Sequence, residues 1–248
     1  MMFSLRRMFL SLAVILAIAA PSAAQSAPER VFVSFNGAYQ TSSRDFSDRF
    51  EFERDFETGS TQSDYPVTAG FTFDVGAGYR LWKNLGAGVS VSYFTRDDVA
   101  HTDSSFPHPL QFNQPRQVTG DAPGINRTET AAHVQIMYLI PAGRLRVVLS
   151  GGPSFFNVEQ DLVTEVQITQ SYPFDSATFS SATTTRIKGS KTAFNVGADV
   201  MWLFTKYLGV GGVARFSKAT VDLDAPGGRT IPVDAGGPYV GGGVRILF

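Results

Sequence analysis

Eight stretches of this chain alternate apolar residues with small or polar ones, and the connections between them are short and long in strict turn. A β-strand points successive side chains to opposite faces, so each stretch presents one oily face and one small or polar face. The predicted strands are 31–40, 67–81, 85–95, 128–140, 145–158, 193–203, 208–217 and 237–248. Both chain ends fall on the side of the short turns, which is typical of a sheet that runs up and down and closes on itself.

The long connections are expected to differ from one another. Segment 159–192 keeps an alternating pattern and is predicted to continue its two neighbouring strands as a hairpin. Segment 41–66 is predicted to be a mixed-charge loop or a second extended pair, and 96–127 to be the least regular and most mobile part. Segment 218–236 is the fourth long connection, and Gly151-Gly152-Pro153 predicts a bulge or kink in the fifth strand.

Residues 1–24 are predicted to be a secretory signal peptide, followed by one β-barrel domain over 25–248. Arg6 and Arg7 precede an apolar core of about a dozen residues, which is shorter than the roughly 20 that a spanning helix needs. An uncleaved membrane anchor is the alternative. No later segment has about 18 consecutive apolar residues, so a mature chain that crosses a membrane must do so as a closed barrel.

The composition argues against several classes of protein. Lys and Arg together number 21 against 22 for Asp and Glu, and this balance does not suggest a nucleic-acid partner. Cysteine is absent, which excludes disulfides, thiolate metal sites and a lipoprotein anchor. The histidines, His101, His108 and His133, match no catalytic or metal-binding pattern, so no catalytic, metal-binding or cofactor-binding residue is expected.

The oily face of each strand is predicted to meet lipid, and the small or ionic face to point toward the barrel axis. Eight strands leave a lumen that side chains can fill, and buried charges there must pair. The predicted lumen network consists of Asp74, Arg80, Glu129, Arg146, Asp199, Arg215 and Arg245. Asp74 and Asp199 are expected to contact these arginines, with Arg215 and Arg245 as the favoured partners. The network is interpreted as a structural plug, with a polar gate as the alternative.

Aromatic residues mark one rim of the predicted barrel. Trp82, Trp202 and Tyr207 lie at or beside short turns and predict an aromatic girdle at the membrane surface. In the last strand Val244, Ile246 and Phe248 lie on the oily face. This ending resembles the C-terminal assembly signature of bacterial outer-membrane β-barrels.

With its leader, alternating strands, long loops and terminal Phe248, the chain resembles the small outer-membrane β-barrel superfamily of the OmpA, OmpX and OmpW kind. The resemblance implies an all-β, eight-stranded antiparallel up-and-down transmembrane β-barrel with short periplasmic turns and four long outer loops. It implies a place in the cell outer membrane, contact with outer-membrane lipids and lipopolysaccharide, and recognition of the C-terminal strand by the barrel-assembly machinery. A monomer is expected.

Three functions are compatible with this fold. The first is a non-enzymatic structural or surface-interaction barrel whose lumen is plugged by polar and charged side chains. The second is passive transport of small hydrophobic molecules through a lateral opening, for which the bulge-prone segment 151–153 and the wall residues Phe155 and Phe156 are the only hint. The third is a lipid A-modifying enzyme, whose catalytic pattern is missing here. A soluble lipocalin-like barrel, with its oily face inward, is the structural alternative.

Overall fold

The computed structural model describes residues 30–248, which form ten antiparallel β-strands joined by turns and short loops. The predicted leader lies outside this range. None of the described residues forms a helix long and apolar enough to cross a bilayer. The strands are β1 (Val31–Gln40), β2 (Arg44–Arg54), β3 (Glu57–Val67), β4 (Gly70–Trp82), β5 (Leu85–Phe106), β6 (Arg116–Ala142), β7 (Leu145–Gln170), β8 (Ala177–Leu203), β9 (Leu208–Ala225) and β10 (Arg229–Leu247).

Eight of these strands close into a ring in the order β1, β4, β5, β6, β7, β8, β9, β10. The ring is sealed by the first and last strands, which pair from Phe32 with Leu247 to Gln40 with Tyr239. Every neighbouring pair is antiparallel. The predicted eight-stranded up-and-down barrel is therefore confirmed.

The half of the ring nearest the short turns has an apolar exterior. We call this part the belt; it consists of 31–40, 70–82, 85–94, 131–142, 145–155, 194–203, 208–217 and 239–248. Its outward side chains, such as Phe71, Ile136 and Val240, are exposed. Its inward positions carry small or polar residues, except near the short turns, where apolar side chains such as Met201 and Leu247 point inward. Such a surface is unfavourable in water and suits an apolar surrounding.

Beyond the belt the alternation keeps its period but exchanges its chemistry. In β9 the outward residues of the belt are apolar, as at Val210 and Phe216, whereas further along the strand Val221 and Leu223 point inward and Asp222 points outward. We call this second part the crown; it consists of 44–67, 95–130, 156–193 and 218–238. The crown is apolar inside and polar outside, as expected for a barrel wall surrounded by water.

The crown has a hydrophobic core of its own. The core unites buried residues from six strands; its larger members are Tyr65, Phe106, Val118, Ile125, Phe156, Val158, Leu162, Val163, Val166, Val221, Leu223, Ile231 and Val233. Phe46, Phe50 and Phe52 of β2 pack against it and are partly buried. The interior beyond the belt is therefore filled mainly by apolar side chains, with buried hydroxyls such as those of Thr61, Thr102 and Ser104 among them.

The segments predicted as long loops are mostly strand, which corrects the expected loop lengths. Segment 96–127 was predicted to be the least regular part, yet β5 and β6 pair from Leu85 with Tyr138 to Phe106 with Arg116, and only 107–115 connects them. The prediction was wrong because the strands were sought by an apolar outer face, which the crown does not have. Segment 41–66 forms the β2–β3 hairpin, and 159–192 forms the outer part of the β7–β8 hairpin.

Of the bulge or kink predicted at Gly151-Gly152-Pro153, the bulge is absent. Ile136 pairs with Gly151 and His133 with Ser154, so the register between β6 and β7 is unchanged across this segment. Pro153 has no N–H to donate, and the pairing with β6 is interrupted for two residues without any insertion. The register shifts elsewhere in β7 and β8 lie in the crown.

The crown wall contains two seams without backbone pairing. β8 pairs with β9 only within Phe194–Leu203 of β8, and β2 pairs with β3 alone. The outer part of the β9–β10 hairpin therefore has two edges that are joined to the neighbouring strands by side chains. Arg229 donates to Asp48 across one seam, and the Nζ atom of Lys191 lies 3.1 Å from Asp222 across the other.

Candidate functional site in the belt lumen

Asp74 is the centre of the polar layer inside the belt. Its carboxylate accepts hydrogen bonds from Nδ2 of Asn36 at 2.9 Å, Nη1 of Arg215 at 2.8 Å and the hydroxyl of Tyr239 at 3.1 Å. Arg215 also donates to Oγ of Ser90 at 2.8 Å. All five side chains are buried. Three donors, one of them a charged arginine, compensate the cost of placing this carboxylate away from water.

A second ion pair joins Asp199 and Arg245. The Nε atom of Arg245 lies 3.1 Å from both carboxylate oxygens, and the residue is fully buried. Its Nη1 donates to Oδ1 of Asn36 at 2.7 Å, and Asn36 in turn donates to Asp74. Asn36 therefore links the two ion pairs into one chain. It was not among the predicted site residues, although its inward position on β1 was visible in the alternation.

His133 lies in a separate set of buried polar groups. Its Nδ1 is 2.7 Å from Oγ of Ser154, and its Nε2 is 3.1 Å from Oγ of Ser92. Ser154 accepts a hydrogen bond from Asn195 at 2.8 Å, and Gln135 donates to Asn195 at 2.6 Å. The imidazole is thus held between two hydroxyls, and among the described residues no carboxylate hydrogen-bonds to it. This differs from the orientation of a histidine base by an acidic residue.

Glu129 belongs to a third group, where the belt meets the crown. Its Oε1 lies 2.8 Å from Nε of Arg127 and 3.0 Å from Nη2 of Arg44, and its Oε2 accepts the backbone N–H of Gly236 at 2.8 Å. Arg127 also donates to Gln160 at 3.2 Å. Arg44 and Arg127 escaped sequence reasoning because both fall in segments that were predicted to be loops.

The lumen is filled above and below these polar groups. Toward the short turns an apolar floor closes it, formed by Phe32, Met137, Leu139, Val148, Met201, Leu203 and Leu247. Toward the other end lies the crown core. Between them the cavity beside Asp74 and Arg215 has a volume of about 30 Å³, which is room for about one water molecule.

The other predicted lumen residues lie near the short turns. Arg80 is opposite Gly86 and Arg146 is opposite Met201, at inward register positions, and both side chains are partly buried. The structure thus brings together Asp74, Asp199, Arg215 and Arg245, while Glu129 lies in the group at the belt–crown boundary.

The predicted girdle residues occupy the exterior at the same end. Trp82, Trp202 and Tyr207 are exposed. A lysine accompanies two of these rings, since Nζ of Lys83 is 5.5 Å from the Trp82 ring and Nζ of Lys206 is 4.6 Å from the Tyr207 ring. Of the predicted C-terminal signature, Val244 and Phe248 are exposed and Ile246 is partly buried.

Outside the belt, His101 and Asp121 form a pair across β5 and β6. His101 Nδ1 lies 2.8 Å from Asp121 Oδ1, and both side chains are largely exposed. This hydrogen bond raises the pKa of His101 above its usual value, and the nearby carboxylates of Asp103 and Asp64 act in the same direction. A raised pKa means that the favourable interaction is complete below the pKa of the unfolded chain and is lost as the pH rises through the folded pKa.

We expect Asp121→Asn to lower the pKa of His101 toward about 6.5, the value of an unperturbed histidine. Proton NMR titration of the ring resonances in the folded protein would measure the change. Asp97→Asn is the matched control. Asp97 is an exposed carboxylate of β5, the strand that carries His101, and its own partner is Asn126, at 2.9 Å. A wild-type His101 that titrates at or below the unperturbed value would contradict the assigned pair.

A closed ring with an apolar exterior and paired charges inside defines an integral membrane β-barrel. Residues 10–210 match the family model described as the outer membrane protein beta-barrel domain, and the chain belongs to this family. The predicted localisation in the outer membrane is therefore confirmed. No curated protein matches the sequence.

Several solved structures resemble the chain at low identity. Neisserial surface protein A is 14% identical, with 88% of this chain and 97% of that chain covered and a TM-score of 0.46. OprG from Pseudomonas aeruginosa is 8% identical, with coverages of 89% and 96% and a TM-score of 0.46. The outer membrane protease OmpT from Escherichia coli is 8% identical, with coverages of 92% and 99% and a TM-score of 0.49.

Proposed function

We propose that this protein is a non-enzymatic barrel with a structural and surface-interaction role, in which nothing passes through the lumen. The observation that carries the proposal is the filling of the interior at successive levels, by the apolar floor, the paired charges and the crown core. An aqueous path would have to displace buried ion pairs and two apolar clusters. A narrow eight-stranded barrel filled in this way suits a scaffold better than a channel.

The proposal includes an orientation in the membrane. The short turns face the periplasm. The crown projects from the cell into water, because its exterior is polar. Outer-membrane lipids and lipopolysaccharide then surround the belt. The barrel-assembly machinery recognises the last strand through Val244, Ile246 and Phe248. Since the belt ring is closed by its own strands, the protein is proposed to be a monomer.

The two alternative functions have less support. Transport through a lateral opening was suggested by 151–153. Gly151 and Pro153 pair with β8 in continuous register, and the gap in the pairing with β6 is only two residues long, with the same register on both sides. Lipid modification needs a reactive group that can reach lipid, whereas His133 points into the lumen and is buried. Neither alternative therefore gains a specific contact from the geometry.

Planar-bilayer recordings test the closed lumen. We expect the purified, folded protein to give no discrete conductance steps in about 1 M KCl, under conditions where an open porin, run as the control, gives them. The physical reason is that hydrated ions cannot pass the apolar floor or the crown core without unpacking them. Regular steps that scale with the amount of inserted protein would refute the proposal, as would facilitated flux of small hydrophobic solutes into liposomes.

A further inference from the structure

The outermost turns of the crown expose four large apolar side chains, which we call the tip cluster. Phe56 lies in the β2–β3 turn, Leu110 and Phe112 lie in the connection 107–115, and Tyr172 lies in the connection 171–176. Their exposed fractions are 97% for Phe56, 65% for Leu110, 68% for Phe112 and 81% for Tyr172. Elsewhere in the described crown Val99 is the single other large apolar residue that is exposed, so a group of four at the far end suggests an interaction surface.

The three turns are tied together by hydrogen bonds. The backbone N–H of Asn113 donates to Oε1 of Glu57 at 2.8 Å, which joins the β2–β3 turn to 107–115. Arg116 is buried and donates to the carbonyl of Pro107 at 2.7 Å, to Oε1 of Gln170 at 2.6 Å and to the carbonyl of Phe174 at 3.1 Å. The tip cluster therefore stands on one connected platform.

Phe56 is unfavourable at its position for two separate reasons. Asp55 and Phe56 have φ angles of 53° and 64°, so the turn needs two left-handed residues, and glycine is strongly preferred at the second. A bulky residue with positive φ is a conformational outlier. Burial does not compensate for it, because almost the whole side chain is exposed. Phe56 therefore has an unfavourable backbone conformation and exposes an apolar ring to water. A residue with both costs suggests a role other than folding.

We propose that the tip cluster inserts into the surface of a second lipid bilayer, opposite the membrane that holds the belt. The inference rests on the proposed function, which places the crown outside the cell. Tyr172 meets the ring of Phe174 edge-on at 6.0 Å, but among the described residues no ring contact joins Phe56, Phe112 and Tyr172 to one another. The three rings therefore project separately instead of enclosing a shaped pocket. A fluid bilayer accepts apolar side chains at any spacing, whereas a protein partner must supply matching pockets.

The charges around the tip cluster indicate which lipid it meets. Asp55, Glu57 and Asp175 are acidic neighbours of these side chains. The nearby cations are fewer: Arg54 is partly buried and lies 3.9 Å from Asp55, and Arg116 is buried. A rim with excess negative charge is repelled by an anionic lipid surface and tolerates a zwitterionic one. The proposed target is therefore a bilayer of zwitterionic lipid such as phosphatidylcholine.

Vesicle flotation tests the proposal with the full, folded protein in nanodiscs. We expect wild type to float with phosphatidylcholine vesicles, and Phe56→Gly and Phe112→Ser each to lower the bound fraction at least tenfold. Phe56→Gly suits the turn, so its loss of binding is expected together with unchanged or higher resistance to denaturant. Val99→Ser is the matched control, because Val99 is an exposed apolar residue of β5, away from the tips, and its substitution leaves binding unchanged.

Three results would overturn the proposal: no flotation of wild type, equal flotation of all variants, or stronger binding when anionic phosphatidylglycerol replaces a third of the phosphatidylcholine. Capture of the nanodiscs by a protein-coated surface without any vesicle binding would assign the tip cluster to a protein partner instead. The bilayer recordings separate this proposal from the proposed function. A conducting barrel that still floats would refute the closed lumen alone, and a closed barrel that does not float would refute the lipid contact alone.

Discussion

Asp199→Ala is expected to lower the free energy of unfolding by about 3–5 kcal/mol, the cost of leaving one member of a buried ion pair without its partner. Arg245 is fully buried, and its Nε lies 3.1 Å from both oxygens of Asp199. Without the carboxylate the guanidinium keeps only neutral partners, Asn36 at 2.7 Å and the carbonyl of Val244 at 3.2 Å, in a lumen that holds little water. Denaturant titration of the protein in lipid vesicles, followed by the fluorescence of Trp82 and Trp202, measures the loss.

Two further variants show whether burial causes this effect. The double variant Asp199→Leu with Arg245→Met removes both charges and is expected to recover most of the lost stability, because apolar residues of similar size can replace a buried pair. Asp222→Asn removes the partner of Lys191 in an exposed pair, with side-chain exposures of 53% and 50%, and is expected to cost less than about 1 kcal/mol. Equal losses for Asp199→Ala and Asp222→Asn would mean that the lumen is wet.

The second large effect is expected from Leu223→Ala in the crown. Leu223 is completely buried in the crown core, and truncating a buried leucine costs about 2–5 kcal/mol. Its hairpin has two edges without backbone pairing, so the loss should appear as local opening of the β9–β10 hairpin while the belt stays folded. Limited proteolysis with mass spectrometry should show faster cleavage near 226–228.

Asp224→Ala is the control for this experiment, because its side chain is exposed on the outer face of the same strand and its partner Thr230, at 3.2 Å, lies within the hairpin and not across a seam. It is expected to leave the cleavage rate near its wild-type value. Cleavage of Leu223→Ala at the wild-type rate would contradict the core assignment, and simultaneous loss of the belt would show that belt and crown unfold as one unit.

The ring of the belt was predictable from sequence because a lipid-facing wall must satisfy all its backbone groups and show an oily exterior. The crown was not predicted in full, since it obeys the opposite rule. The alternation itself continues into the crown, where Ala219, Val221 and Leu223 alternate with Lys218 and Asp222. The apolar residues there point inward, as in a soluble sheet. A search for strands with an apolar outer face and a polar inner face places the end of each strand where its surroundings change from lipid to water.

The inward charges of the belt were visible in the alternation, but their partners depend on the register between strands that are distant in sequence. Asn36 is joined to Arg245 across 209 residues. Arg44 and Arg127 meet Glu129 through strands whose crown portions were read as loops. Pairing of this kind follows from ring closure and strand offset, and neither is encoded locally.

A strand whose outer face meets lipid along one half of its length and water along the other has only one favourable register with its neighbours. Sliding β9 by one position would turn Phe216 toward the axis and Leu223 toward the aqueous exterior in the same step. The free-energy costs of the two misplacements add. The inward apolar residues of the crown therefore also stabilise the strand register of the belt. Once the crown hairpins of a newly inserted molecule have buried their apolar face, the belt strands can no longer shift their register within the bilayer.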